Sequence, residues 1–356
     1  MAVPLSDSLL REEEMTEKKY LSLLGAACLV VALLCMVALL GRQSRRQEQV
    51  ETALLNSSYS PNLSQVDIAE GEASISLHCG NLSGRLLWWG RSGLGMAAEN
   101  PASNKSLVFP VDPVVMGEFL SAMEEVRSLT VVSRKQDNLA SFGLGEGQGV
   151  RASFGLSDGT TVSQILFGDR NYSGHRIYLK TPDSPVYQGQ DQFYPWLTTS
   201  AKSWADMALV SQQLLGISGG AQVQRLTMGC ASKDGGFSQL VLAPTQEDFS
   251  SKVSRLLSLR GGSLIHPQVA EGRPLLAEIV VDTGFGTRAT LRVYQGSQSQ
   301  TDQEISSYYL VPQYSNLSDN NGSAGSGVRG DGSLPTMCYG LEISGWTWDS
   351  ILTLME

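Results

Sequence analysis

Three groups of residues in this chain have the types and spacing that chemistry uses. Gly216-Ile217-Ser218-Gly219-Gly220 has the letters of a G-x-S-x-G nucleophile elbow. Such an elbow needs a strand before the serine and a helix after it. Here a strand pattern follows instead, and no histidine stands in a recognisable partner motif. The glycine run Gly143-Leu144-Gly145-Glu146-Gly147-Gln148-Gly149 resembles a phosphate-cradling loop. It fails G-x-G-x-x-G at Gln148 and lacks the lysine of a P-loop. Both stretches read as a linker and a loop. His78, His175 and His266 are far apart, with no ligand at metal spacing beside them, so no metal site is expected. Asp319-Asn320-Asn321-Gly322 lacks the closing glutamate of a calcium loop. Arg329-Gly330-Asp331 is an adhesion tripeptide by letter only.

Six tryptophans remain as candidate binding aromatics: Trp88, Trp89, Trp196, Trp204, Trp346 and Trp348. They could line a groove for a carbohydrate or peptide, or simply be packed at strand ends. No catalytic residue and no cofactor are assigned. A pair of carboxylates brought together from distant strands is the one enzymatic arrangement the pattern leaves open.

The elements that would position these residues come next. The chain has 356 residues, 42% of them hydrophobic and 17% charged, which is globular composition. Its formal charge of −9 argues against nucleic acid as a partner. Leu21–Leu40 is an uncharged run of 20 residues, long enough for a helix to cross a bilayer. Leu21, Leu24, Leu29, Val30, Leu33, Leu34, Val37 and Leu40 would form its lipid-facing surface. No small-x-small cleavage site follows, so the run reads as an uncleaved anchor rather than a signal peptide. The flanking basic residues tie, and orientation is assigned by the commoner arrangement: short N-terminus inside, large domain outside. Cys79, Cys230 and Cys338 lie beyond the run and allow at most one disulfide among them.

The expected organisation is a tail over 1–20, a transmembrane helix over 21–41, a linker over 42–66, and two similar repeats over 67–216 and 217–356. The second repeat carries an insertion at 314–334. Each repeat opens with a hairpin: Ile75–His78 with Arg85–Gly90, then Gln222–Met228 with Phe237–Leu242. Each hairpin leads to a helix. Asp112 with Pro113 starts the first, whose apolar face is Val115, Phe119, Met123 and Val126. Thr245 and Asp248 suggest a capping box for the second, whose face is Phe249, Val253, Leu256 and Leu257. Further hairpins turn at Asp158-Gly159 and at Gly284–Gly286. The fold class expected is α+β: one N-terminal transmembrane helix, then two α+β repeats of antiparallel hairpins and a packed helix.

The runs Leu129–Ser133, Asn138–Leu144, Asp158-Gly159 and Phe167-Gly168-Asp169 resemble domain-of-unknown-function family 4340. So do Val186-Tyr187 and the segment from Trp196-Leu197 to Ser203-Trp204-Ala205-Asp206. The likeness covers about residues 70–210, and the second half as a weaker copy. It implies a bacterial, membrane-anchored, extracytoplasmic protein that accompanies ABC-transport components of the gliding-motility kind. No catalytic residue comes with it. The expectation is therefore a non-enzymatic binding or scaffold protein in the bacterial inner (cell) membrane, with a partner such as an ABC transporter permease. Two alternatives stay open. One is a hydrolase with an unrecognised carboxylate site. The other is a eukaryotic type II membrane glycoprotein, suggested by N-x-S sequons at Asn56, Asn62, Asn81, Asn104, Asn171, Asn316 and Asn321.

Overall fold

The computed structural model describes residues 28–34, 36, 48–82, 85–92, 106–135, 138–231, 237–297, 307–316 and 335–355. Antiparallel sheet dominates them. The first half runs β1 (Gln49–Thr52), β2 (Leu63–Glu70), β3 (Ala73–Leu82), β4 (Arg85–Ser92), β5 (Val108–Pro110), α1 (Pro113–Glu124), β6 (Arg127–Ser133), β7 (Val150–Leu156), β8 (Thr161–Arg170), β9 (Arg176–Lys180) and β10 (Val186–Gln190). Two four-residue helices follow, α2 (Ala201–Trp204) and α3 (Gln212–Leu215). The second half runs β11 (Val223–Ala231), β12 (Phe237–Leu242), α4 (Phe249–Ser258), β13 (Ser263–Ile265), β14 (Leu275–Thr283), β15 (Thr287–Gln295), β16 (Ser307–Asn316), β17 (Gly340–Ser344) and α5 (Gly345–Met355).

The expected α+β class with an N-terminal transmembrane helix is corrected. Two antiparallel sheets form the body, and the helices are short coverings of their faces. Among the described residues no helix is long and apolar enough to cross a membrane. Leu29, Val30, Leu33 and Leu34 lie in the described run over 28–34 with exposed side chains. Leu21, Leu24, Val37 and Leu40 lie outside the described residues. The single-pass placement in an inner membrane is withdrawn on the same finding.

The strand order is β1-β6-β10-β9-β8-β7-β2-β3-β4-β5 in the first sheet and β12-β11-β14-β15-β16-β17-β13 in the second. Reversing the first and laying β2 on β11 gives one order twice: β3-β2-β7-β8-β9-β10-β6 against β12-β11-β14-β15-β16-β17-β13. A helix follows the opening hairpin in both, α1 and α4. The first sheet adds β4 and β5 at one edge and β1 at the other. The sequence comparison had matched the β3–β4 hairpin to β11–β12, one hairpin too late. The cause is visible in β2. A register shift between Leu63 and Gln65 breaks its pairing with β7, so buried Leu63, Val66 and Ile68 do not alternate cleanly. The stretch 42–66, read as a linker, thus contains β1, buried Leu54 and Leu55, and the start of β2.

Local chemistry explains the helix starts. Asp112 caps α1, its Oδ1 accepting from the Val114 amide at 2.9 Å, with Pro113 at the first helical position. The buried face of α1 is Met116, Phe119 and Met123, whereas Val126 is exposed beyond the helix end. In α4 Phe249, Val253, Leu256 and Leu257 are all buried. The expected Thr245 box is absent there; Gln246 Oε1 accepts from the Ala243 amide at 2.7 Å instead.

Candidate functional site

The segment between the sheets, residues 201–217, carries a buried polar cluster. Trp204 is wholly buried and its Nε1 donates to the Thr198 carbonyl at 3.0 Å. Two residues on, the Asp206 amide donates to the Pro110 carbonyl at 2.8 Å, which fixes the segment against the end of β5. The Asp206 side chain is 7% exposed. Its Oδ2 accepts from Ser211 Oγ at 2.8 Å and its Oδ1 from the Ala208 amide at 3.1 Å. The Ser211 amide in turn donates to the Tyr314 hydroxyl at 2.9 Å, and the Tyr339 hydroxyl lies 3.5 Å from that of Tyr314. Asp206 and Ser211 come from the linking segment; Tyr314 and Tyr339 come from the second half.

Burial displaces the acidity of these groups. Desolvation raises the Asp206 carboxyl above its ordinary value, opposed by the bonds from Ser211 and Ala208. The Tyr314 phenol is pushed up to about 12 by desolvation, and Tyr339 well above the phenol range by burial and by Tyr314. Shifts of this kind cluster at active sites, but structural networks produce them too. Here every carboxylate and hydroxyl contact given runs to another group of the cluster or to backbone. The arrangement can fasten the segment to the second half. Its one hydroxyl–carboxylate pair, Ser211 with Asp206, is buried, Ser211 fully so.

A second pair stands close by in the chain. Cys338 Sγ lies 3.6 Å from His266 Nε2, and His266 Nδ1 accepts from the Gln268 amide at 3.3 Å. A neutral ring accepting at Nδ1 carries its proton on Nε2, so it faces the sulfur as a donor. General-base activation of the thiol needs the opposite tautomer. Cys338 also bridges the halves through its backbone, with Val108 N to Cys338 O at 3.1 Å and the return bond at 2.8 Å. Cys79 and Cys230 are free thiols.

The tryptophans do not form one groove. Trp204 and Trp348 are buried, Trp348 stacked on Tyr308 at 5.0 Å. Trp88 and Trp196 pack against the core. Trp346 is 73% exposed. Trp89 lies on the outer face of the first sheet, stacked on His78 at 4.3 Å with Arg91 over its ring at 5.8 Å. Desolvation lowers the pKa of His78 despite Asp67 nearby, and Arg91 lowers it further. His175 is exposed elsewhere. Among the described residues no three His, Cys, Asp or Glu side chains converge as a metal site.

Ser218 is exposed and its amide donates to Gln222 Oε1 at 2.6 Å, an arrangement local to the turn before β11. The glycine run closes on itself, with the Gln148 amide donating to the Gly145 carbonyl at 3.0 Å and Gln148 Oε1 accepting from the Gly145 amide at 3.2 Å. The sites at 319–322 and 329–331 lie outside the described residues. Sequence reasoning missed Asp206, Ser211, Tyr314 and Tyr339. The available signal was a lone carboxylate inside the apolar run Trp204-Ala205-Asp206-Met207-Ala208-Leu209-Val210, which burial makes costly without partners.

No curated protein matches the chain, and no solved structure does. The model of one family, the domain of unknown function DUF4340, matches residues 104–259. That span begins before β5, crosses the linking segment with Asp206 and Ser211, and ends just after α4. It therefore starts and stops later than the motifs over 70–210 suggested. Over residues 104–259 the chain is therefore similar to the DUF4340 family.

Proposed function

We propose that this chain is a non-enzymatic binding or scaffold protein, an accessory to a transport system of the ABC type. The observation that carries the first half of this reading is the fate of the groups with displaced acidity. Asp206, Tyr314 and Tyr339 are bonded into the joint between the two sheets, where a substrate would have to break the joint to reach them. The second half rests on what the family resemblance implies about companions. Capture of the tagged full-length chain from its native cells, with mass spectrometry of what is retained, tests it. Recovery of an ABC-type ATPase or permease is expected. Recovery of abundant partners with no transport component would overturn the accessory role. The hydrolase alternative has one observation of its own, the raised pKa of Asp206. Turnover of ester, peptide or glycoside substrates by the purified chain, abolished by Asp206→Asn, would replace the binding reading.

A further inference from the structure

Sheet edges offer unpaired backbone groups to any extended chain, and proteins blunt them with charge, proline, bulges, shortness or a covering element. Three of the four outer strands here are blunted. β1 is four residues long and carries Glu51. β5 is three residues long, ends in Pro110 and is bridged to Cys338. β13 is three residues long, and the chain just before it is bonded to the linking segment, Gly261 N to Met207 O at 2.8 Å. β12 differs. Its six residues, Phe-Ser-Gln-Leu-Val-Leu, hold no charge and no proline. They pair with β11 in unbroken register from Ala231↔Phe237 to Leu226↔Leu242. Among the described residues no strand pairs with the other side of β12. At the corresponding edge of the first sheet, β4 covers β3 over eight pairs.

We propose that β12 is a self-association edge, on which a second copy of this chain docks by antiparallel pairing of β12 with β12 about a twofold axis. Three observations select a second copy as occupant. The chain has a formal charge of −9, so copies repel generally, yet this strand brings no charge into the contact. Antiparallel pairing about an axis normal to the sheet keeps each copy's core side on the same face. With the axis at Leu240, Ser238 stands opposite Leu242 of the other copy and Leu240 opposite its counterpart. Those are the core-side residues, since their β11 partners Met228 and Leu226 are fully buried. On the outer face Gln239 stands opposite Val241 of the other copy. Both are exposed, Val241 by 50%, so side chains of either kind fit there. The two second-half sheets would become one continuous sheet, an isologous contact.

This proposal stands independently of the transport reading. Sedimentation of the full-length chain over a hundredfold concentration range tests it, with two variants at the exposed positions. Wild type should sediment as a dimer. Gln239→Lys with Val241→Lys places like charges directly opposite each other twice and should weaken association at least tenfold. Gln239→Lys with Val241→Glu places opposite charges there and should restore the dimer. Both variants change only exposed side chains, and circular dichroism should show them folded. A wild-type monomer throughout would overturn the proposal. So would a folded Lys/Lys variant that still dimerises, or a Lys/Glu variant as monomeric as Lys/Lys.

Discussion

Asp206 shows how a carboxylate can sit in an apolar segment. Two donors, Ser211 Oγ and the Ala208 amide, take the place of water at its oxygens. Because burial raises its pKa above the ordinary 3.8, the folded chain holds this proton to higher pH than the unfolded chain does. The stability it contributes is complete below about pH 4 and is lost as pH rises through the raised folded value. Asp206→Asn should therefore gain on wild type as pH is raised from the ordinary carboxylate range to neutrality. Its amide can donate to Ser211 Oγ, which then accepts, while its oxygen keeps the Ala208 bond. Asp206→Ala leaves both donors without an acceptor and should cost about 1–3 kcal/mol at neutral pH. Urea titrations of the three proteins between pH 4 and 8 check both statements; parallel curves for wild type and Asp206→Asn would refute the first. The tyrosines follow the same sign at the alkaline end of the pH range. With Tyr314 pushed up to about 12 and Tyr339 higher still, both should stay protonated through pH 11 in the folded chain. An absorbance titration should show their ionisation only together with alkaline unfolding.

At the scale of elements, the family motif proves to be a packing device. Asn138–Leu144 and Phe167-Gly168-Asp169 are distant in sequence, yet the short 3-10 turn Leu139–Phe142 lies directly against the end of β8. A Cβ at Gly168 would fall on the Phe142 carbonyl oxygen, far inside van der Waals contact, and that oxygen is backbone and cannot swing away. Gly143 ends the turn in the left-handed region at φ 68° with Asp169 against it. Gly168→Ala should cost roughly 1–3 kcal/mol, as overpacking does, read as a lowered urea midpoint; an unchanged midpoint would mean the turn is not anchored there. Elements with strong local signals were legible in the sequence: the Asp112-Pro113 start, the Asp158-Gly159 turn, the apolar stripe of α4. β2 was not, because its bulge destroys the alternation that marks a strand. Missing it shifted the matching of the two halves by one hairpin and hid β1 and β2 within an apparent linker. The polar cluster was illegible for a different reason. Asp206 and Ser211 are five residues apart, but Tyr314 and Tyr339 reach them only through tertiary packing, which no local pattern encodes. The apolar run at 21–40 shows the converse: composition signalled a spanning helix, and the described residues contain none.

At the scale of the whole molecule, two sheets of the same strand order share one hydrophobic core, which runs from Leu54 to Leu354 and draws on both halves. Backbone bonds cross between them at separate places: Val108 with Cys338, and Leu209 N to Leu259 O at 3.0 Å. Side chains add Thr287 Oγ1 to the Leu215 carbonyl at 2.7 Å and the Asp112–Arg260 ion pair at 3.8 Å. The ion pair is largely exposed on the arginine side and contributes little; the part-buried Ser211–Tyr314 bond and the shared apolar contacts carry the joint. Halves joined in this way should not open separately, since parting them strips apolar surface from both and leaves the Ser211 amide and Tyr314 hydroxyl unpaired. Hydrogen exchange of the full-length chain in graded urea should therefore show β7–β8 of the first sheet and β14–β15 of the second losing protection at the same urea concentration. Tyr314→Phe removes the acceptor of the Ser211 amide and should lower the shared stability by about 1–3 kcal/mol, moving both midpoints down together. Loss of protection in one sheet well before the other, in the wild-type chain, would show that the repeats are independent units and that the buried cluster is not what unites them.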